Sequence, residues 1–242
     1  MKKAYPVTDI YVRKPQTTED FIFTVQGNTG FIDLLDPAWG SPVPVFSIDW
    51  GDGTVTHVNS WDWVPREHTY TDGINQHTIT VFDFEAGWIQ FPSYQGILSI
   101  LSPLPKQKSR TRFDNCFASC INLTYVHDNC FIKCVEATSF ENCFYYTGLR
   151  EIPEILFKSC PDVISFKYCF GLNSYIKTIP ATIFDNNLKV ANFDSCFYNT
   201  RASLTGNAPE LWMRTNPAPS GTACFRGQTG LSNYAQIPSN WK

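Results

Sequence analysis

Residues 113–134 read FDNCFASCINLTYVHDNCFIKC. Four cysteines, Cys116, Cys120, Cys130 and Cys134, form two C-x-x-x-C pairs with His127 between them. Alone, such a stretch admits tetrahedral zinc, paired disulfides or a Cys-His nucleophile. The rest of the chain decides among these, because the stretch repeats. F-x-x-C-F occurs as FDNCF (113–117), FENCF (140–144), FKYCF (166–170) and FDSCF (193–197), with a degenerate GTACF at 221–225. The cysteines at 116, 143, 169, 196 and 224 are 27, 26, 27 and 28 residues apart.

A second element lies between the copies: CFIKC (130–134), LFKSC (156–160), IFDNN (183–187) and LWMRT (211–215). A third, L-x-x-I-P or a variant of it, starts at Leu123, Leu149, Ile176 and Tyr234. A unit of this length cannot bury its apolar face alone, so its core must come from stacking on its neighbours. Equivalent positions then form ladders along one axis. The V-x-x-F and L-x-x-I-P segments are expected as short strands, and the C-F and L-F segments as turns or short helices. Ser239-Asn240-Trp241-Lys242 suits a terminal cap.

This pattern resembles the BspA-like class of leucine-rich repeats over roughly residues 97–242. The resemblance implies a solenoid of about five coils that binds other macromolecules, often at a cell surface, and does no catalysis. Cys-Phe where many relatives have other pairs, the Pro after the strand, and the irregular loop from Arg201 to Gly221 depart from the family pattern.

The first half has a different character. All nine cysteines lie between Cys116 and Cys224, whereas Trp39, Trp50, Trp61, Trp63 and Trp88 fall in the first 90 residues. That shift places two domains, 1–95 and 96–242, with the junction near Gly96–Arg110. Strands are expected at Phe21–Val25, at Pro44–Trp50 with Phe46, Ile48 and Trp50 on one face, at Val55–Val58, at His68–Tyr70 and at His77–Phe82. Turns fall at Gly51–Thr54 and Asp72-Gly73. Aromatic residues at 15% and charged residues at 17% favour the same β-rich reading. Several short strands of this kind indicate a β-sandwich.

IDWGDGT (48–54), HTYTDG (68–73) and TITV (78–81) resemble, in order, the motifs of a PKD-type immunoglobulin-like domain over roughly residues 15–90. The insertion Asn59–Glu67, with its W-D-W triplet, departs from that family. The resemblance implies a spacer or adhesive module. The fold class is therefore mainly β: a PKD-like (Ig-like) sandwich fused to a leucine-rich-repeat solenoid.

Asp49 and Asp52 are fewer carboxylates than calcium usually recruits, and bonding to turn N–H groups accounts for them. Zinc at the four cysteines is disfavoured, because Leu156, Ile183 and Leu211 stand where Cys130 stands, and a ligand is not replaced by leucine one unit along. Free cysteine is instead a small, deeply buried residue type. Disulfides along the 116/143/169 ladder are geometrically open, since strand-paired units sit about 4.8 Å apart. The odd count and the absence of an apolar leader behind Lys2 and Lys3 point to reduced thiols. His127 lacks a nucleophile elbow or a second polar partner and reads as a solvated loop histidine. Cys120 matches Thr147 and Thr200, which reads as a turn-facing polar slot.

Binding is the remaining class. Tyr145, Tyr146, Tyr168, Tyr175 and Tyr198 cluster near the C-F turns, where tyrosine gives contact area at low entropy cost. Packing between units accounts for them equally well. No cofactor, metal or catalytic residue is expected. A net charge of −3 without a basic run leaves no footprint for nucleic acid, and no window is apolar enough to insert in a membrane. The expected function is non-enzymatic binding, as a virion protein of a tailed bacteriophage (capsid decoration, collar or tail adhesion). Its partners would be other virion proteins or a host-surface protein or glycan, with homo-oligomerisation inside the assembly left open. A bacterial cell-surface adhesin is the alternative, and a cysteine-dependent enzyme ranks third.

Overall fold

The computed structural model describes residues 19–34, 43–60, 66–199 and 204–242. The W-D-W triplet and the N-terminal stretch before Glu19 lie outside the described residues. The fold is mainly β. Strands are β1 (Phe21–Gln26), β2 (Thr29–Phe31), β3 (Asp33–Leu34), β4 (Val45–Asp49), β5 (Val55–Val58), β6 (Glu67–Thr69), β7 (Gln76–Ala86), β8 (Ile89–Gln90), β9 (Ile97–Ile100) and β10 (Tyr125–Val126). Six form one sheet in the order β10-β9-β1-β7-β4-β5, while β2 pairs with β6 and β3 with β8.

The strands expected in the first half all form, and β7 runs beyond Phe82 to Ala86. The one-sided burial expected of β4 does not hold. Phe46, Ile48 and Trp50 are buried, and so are Ser47 and Asp49 on the other face. Polar partners make this tolerable: Ser47 Oγ lies 2.8 Å from His57 Nδ1, and Asp49 accepts the Gly51 N–H at 2.9 Å. Trp50 donates its indole N–H to Thr56 Oγ1, and Tyr70 donates its hydroxyl to the Trp50 carbonyl, closing this end of the sheet.

The sheet crosses the composition boundary at 95/96. β9 pairs antiparallel with β1, and β10 pairs parallel with β9. The second half then continues by single parallel bridges: Arg112 to Ser139, Ser139 to Ser165, Ser165 to Asn192 and Asn192 to Ser220. Each bridging residue directly precedes the first position of F-x-x-C-F. The L-x-x-I-P segments expected as strands behave differently. Only the first copy, containing β10, pairs as a strand, and there His127 N–H donates to the Ile100 carbonyl at 2.9 Å. Pro153 and Pro180 occupy the position of His127 and have no N–H to donate.

Phenylalanine columns form the interior of the stacked units. Phe91, Phe117, Phe144, Phe170, Phe197 and Phe225 follow one another at centroid spacings of 5.9, 5.3, 5.6, 5.6 and 5.7 Å, with rings within 10° of parallel. Trp241 extends the column at 6.5 Å. A second column runs Phe113, Phe140, Phe166, Phe193, and a third Phe131, Phe157, Phe184. All of these phenylalanines are buried. Each contributes on the order of 1.5–3 kcal/mol of apolar burial, with up to about 1.5 kcal/mol more for ring pairing.

Gly221 replaces phenylalanine in the degenerate copy for a steric reason. A Cβ there would fall 2.2 Å from the Trp241 indole, which covers this end of the stack. Phe225 N–H donates to the Trp241 carbonyl, and Ala223 N–H to the Asn240 carbonyl.

Candidate functional site

Each F-x-x-C-F segment is a run of tight turns. Cys116, Cys143, Cys169 and Cys196 donate their N–H to the carbonyl of the phenylalanine three residues earlier. The residue before each cysteine is left-handed, as the third position of such a turn requires: Asn115 (φ 56), Asn142 (φ 54), Tyr168 (φ 56), Ser195 (φ 55) and Ala223 (φ 56). The remaining N–H groups bridge to the next unit. From Phe166 to Leu172 every backbone N–H is committed: Phe166, Tyr168, Phe170 and Leu172 bond the following unit, Cys169 and Gly171 bond within the turn, and Lys167 bonds Ser165 Oγ.

The turns place two columns of side chains side by side on the outer surface. One is the left-handed column, and the other lies two residues beyond each cysteine: Ala118, Tyr145, Gly171, Tyr198 and Arg226. Between them runs an open groove of about 460 Å³, lined by Asn142, Tyr145, Tyr168, Ser195, Tyr198, Ala223 and Arg226. Tyr145 and Tyr168 meet edge to face at 6.0 Å and 89°. Lys167 Nζ lies 5.9 Å from the Tyr168 ring, and the Arg226 guanidinium 5.8 Å from the Tyr198 ring. Burial pushes the Tyr145 phenol above its ordinary pKa, and Tyr168, Tyr198 and Tyr146 push it the same way. Tyr145 therefore presents a neutral hydroxyl.

Three of the five tyrosines singled out in the sequence, Tyr145, Tyr168 and Tyr198, thus line one groove. Tyr146 and Tyr175 do not line it; they are 51% and 65% exposed. Asn142, Ser195 and Arg226 were missed by sequence reasoning, although alignment on the cysteines places each of them in one of the two columns.

The cysteines serve the interior. All nine are free and buried. Burial pushes the Cys120 and Cys160 thiols up to about 12, and Cys130, Cys134, Cys143, Cys169, Cys196 and Cys224 also rise for that reason. Cys116 goes the other way. Burial would raise it, but the Cys143 thiol and the Arg110 guanidinium outweigh burial and bring it below the ordinary thiol value. Cys116 is nonetheless fully enclosed.

The positions where cysteine alternates with polar residues are hydrogen-bond slots. Cys160 Sγ faces the Phe131 and Cys134 carbonyls at 3.8 and 3.4 Å. One unit on, Asn187 Nδ2 donates to the Phe157 and Cys160 carbonyls at 3.2 and 2.7 Å. One further on, the donor is Arg214, not Thr215: its guanidinium bonds the Asn187 and Phe184 carbonyls at 2.9 and 2.8 Å. A second slot holds Cys120, Asn173 and Gln228, which donate to the carbonyls of Phe91, Phe144 and Phe197. The slot expected to face a turn is therefore an interior one.

Other candidate groups have local partners. His127 Nδ1 accepts the Asn129 N–H at 3.1 Å. Asp52 Oδ1 accepts the N–H and hydroxyl of Thr54, and His68 Nε2–H donates to Asp52 Oδ2 at 2.6 Å. Among the described residues no three histidine, cysteine or acidic side chains are grouped to hold a metal ion, and no helix is long and apolar enough to cross a membrane.

No family model, curated protein or solved structure matches this chain.

Proposed function

We propose that this chain is a non-enzymatic binding protein of a tailed-bacteriophage virion, acting in capsid decoration, a collar or tail adhesion. In this reading residues 1–95 form a PKD-like sandwich, and residues 96–242 a BspA-like leucine-rich-repeat solenoid of about five coils that presents the tyrosine groove to a protein or glycan. The observation that carries the reading is the division of labour in the repeat. Cysteine, phenylalanine and the slot donors are consumed by the interior, which leaves the two outer columns free to vary. Variable side chains on an invariant frame are what a recognition surface needs. Nine unbridged thiols fit a protein assembled in a reducing compartment and displayed later.

Mass spectrometry of purified virions, with immunogold labelling in electron microscopy, tests the assignment. A fixed copy number per particle and labelling at one place on the virion are expected. Absence from virions, with recovery from bacterial envelopes, would replace it by the cell-surface adhesin.

A further inference from the structure

Arg226 lines the groove and Lys167 stands beside Tyr168 at its edge, and neither forms an ion pair among the described residues. Three other surface cations do: Lys133 with Glu19, Lys189 with Asp162, and Arg112 with Asp114. The position of Lys167 makes the difference pointed. In the equivalent place other units carry Asp114, Glu141 and Asp194, and each carboxylate accepts the hydroxyl of a serine one unit on: Ser139, Ser165 and Ser220. Where the carboxylate becomes Lys167, the serine one unit on becomes Asn192, whose side chain turns to the Asp194 N–H instead. One unit has thus given up the interlock and placed a cation beside Tyr168. No carboxylate lines the groove.

We propose that this groove is a binding site for an acidic saccharide, a sugar chain carrying a carboxylate or sulfate. The proposal rests on the binding reading above and names the ligand class. Tyrosine rings offer apolar faces to the C–H faces of pyranose rings, while their hydroxyls, with Asn142 and Ser195, offer hydrogen bonds to sugar hydroxyls. Tyr145 and Tyr198 lie two units apart, about 10 Å at a strand-like rise of ~4.8 Å per unit, so one ligand of two or three sugars spans both. Arg226 presents the planar donor fork that suits a carboxylate, and Lys167 a second charge. A peptide is the weaker occupant. The backbone N–H groups from Phe166 to Leu172 are all committed, so a peptide strand finds no main-chain donors on that turn.

The test is binding of the full chain to immobilised oligosaccharides in matched pairs: sialyllactose against lactose, and trigalacturonate against its methyl ester. The acidic member of at least one pair should bind at least about 10-fold tighter than its neutral partner, the scale of one charge-assisted hydrogen bond. Arg226→Ala and Tyr168→Ala should each lower that affinity about 10-fold or more, and Tyr146→Ala, outside the groove, should not. Circular dichroism melts confirm that each variant folds. Equal binding of acidic and neutral members overturns the acidic specificity and leaves the binding reading standing. Acidic binding that survives Tyr168→Ala overturns the groove, because it is then diffuse charge attraction. Binding of none of the four, or displacement only by a glutamate-rich peptide, overturns the saccharide; the virion experiment then decides the broader reading by itself.

Discussion

The ring of Tyr145 lies over Gly171, so closely that a Cβ at 171 would fall 3.1 Å from Tyr145 Cδ2. Glycine in the outer column therefore shapes the groove, because it lets Tyr145 lean across the neighbouring unit toward Tyr168. Gly171→Val should push that ring away at a stability cost of about 1 kcal/mol, the low end for overpacking, because position 171 is buried but the Tyr145 ring that must move is half-exposed. A small drop in the urea midpoint together with loss of the Tyr145–Tyr168 ring contact in NMR spectra is the expected outcome.

Gly221 is a harder constraint. Gly221→Ala places a methyl group against the Trp241 ring and should displace it, with a cost of about 2 kcal/mol and a red shift of tryptophan emission. Restoring the repeat consensus with Gly221→Phe should be worse, although the sequence alone would make it look like a repair.

The interior slot at Asn187 makes an opposite pair of predictions. Asn187→Leu removes the side-chain donor shared by the Phe157 and Cys160 carbonyls, which keep only the Cys160 and Val163 N–H groups, and should cost about 0.5–1.5 kcal/mol. Asn187→Cys restores the residue used at Cys160 and removes the Asn187 Oδ1 atom, which has no partner. It should be close to neutral in denaturant titration.

Asp52 sets a pH dependence. Burial would raise its carboxyl, but the Thr54 hydroxyl and N–H and then His68 outweigh this and hold it at about 2. A carboxyl depressed in the folded state adds stability that is complete above its unfolded value, near ~3.9, and is lost as pH falls through about 2. Asp52→Asn should therefore flatten the fall in melting temperature between about pH 4 and pH 2 and leave the slope above pH 5 unchanged.

How much of this was legible depends on what repeated. The F-x-x-C-F register was visible because phenylalanine and cysteine fill interior columns whose shape every unit shares. Phe91 escaped notice although it stands 26 residues before Phe117, because Gln90 occupies the cysteine position and hides the motif. The stack consequently begins before the composition changes. The L-x-x-I-P segments looked like strands by their apolar spacing, but proline removes the donor that pairing needs. In the groove, Tyr145, Tyr168 and Tyr198 were legible as an aromatic cluster. Arg226 and Lys167 were not, since a lone cation carries no signal until its column neighbours are known to be tyrosine and carboxylate. Cys120 and Cys160 gave no such signal, because what they share with Asn173, Asn187 and Gln228 is hydrogen-bond donation to carbonyls one unit back, which no motif spells out.

On the proposed reading the cysteines build the stack and leave function to its surface. Time-resolved alkylation of the native protein with iodoacetamide, read site by site by mass spectrometry, tests this most directly. All nine cysteines should label slowly and together, at the rate of unfolding, and rapidly once denatured. A single cysteine that labels fast in the native state, Cys116 above all because its thiol is the one brought below the ordinary value, would contradict the claim and make that residue a reactive centre.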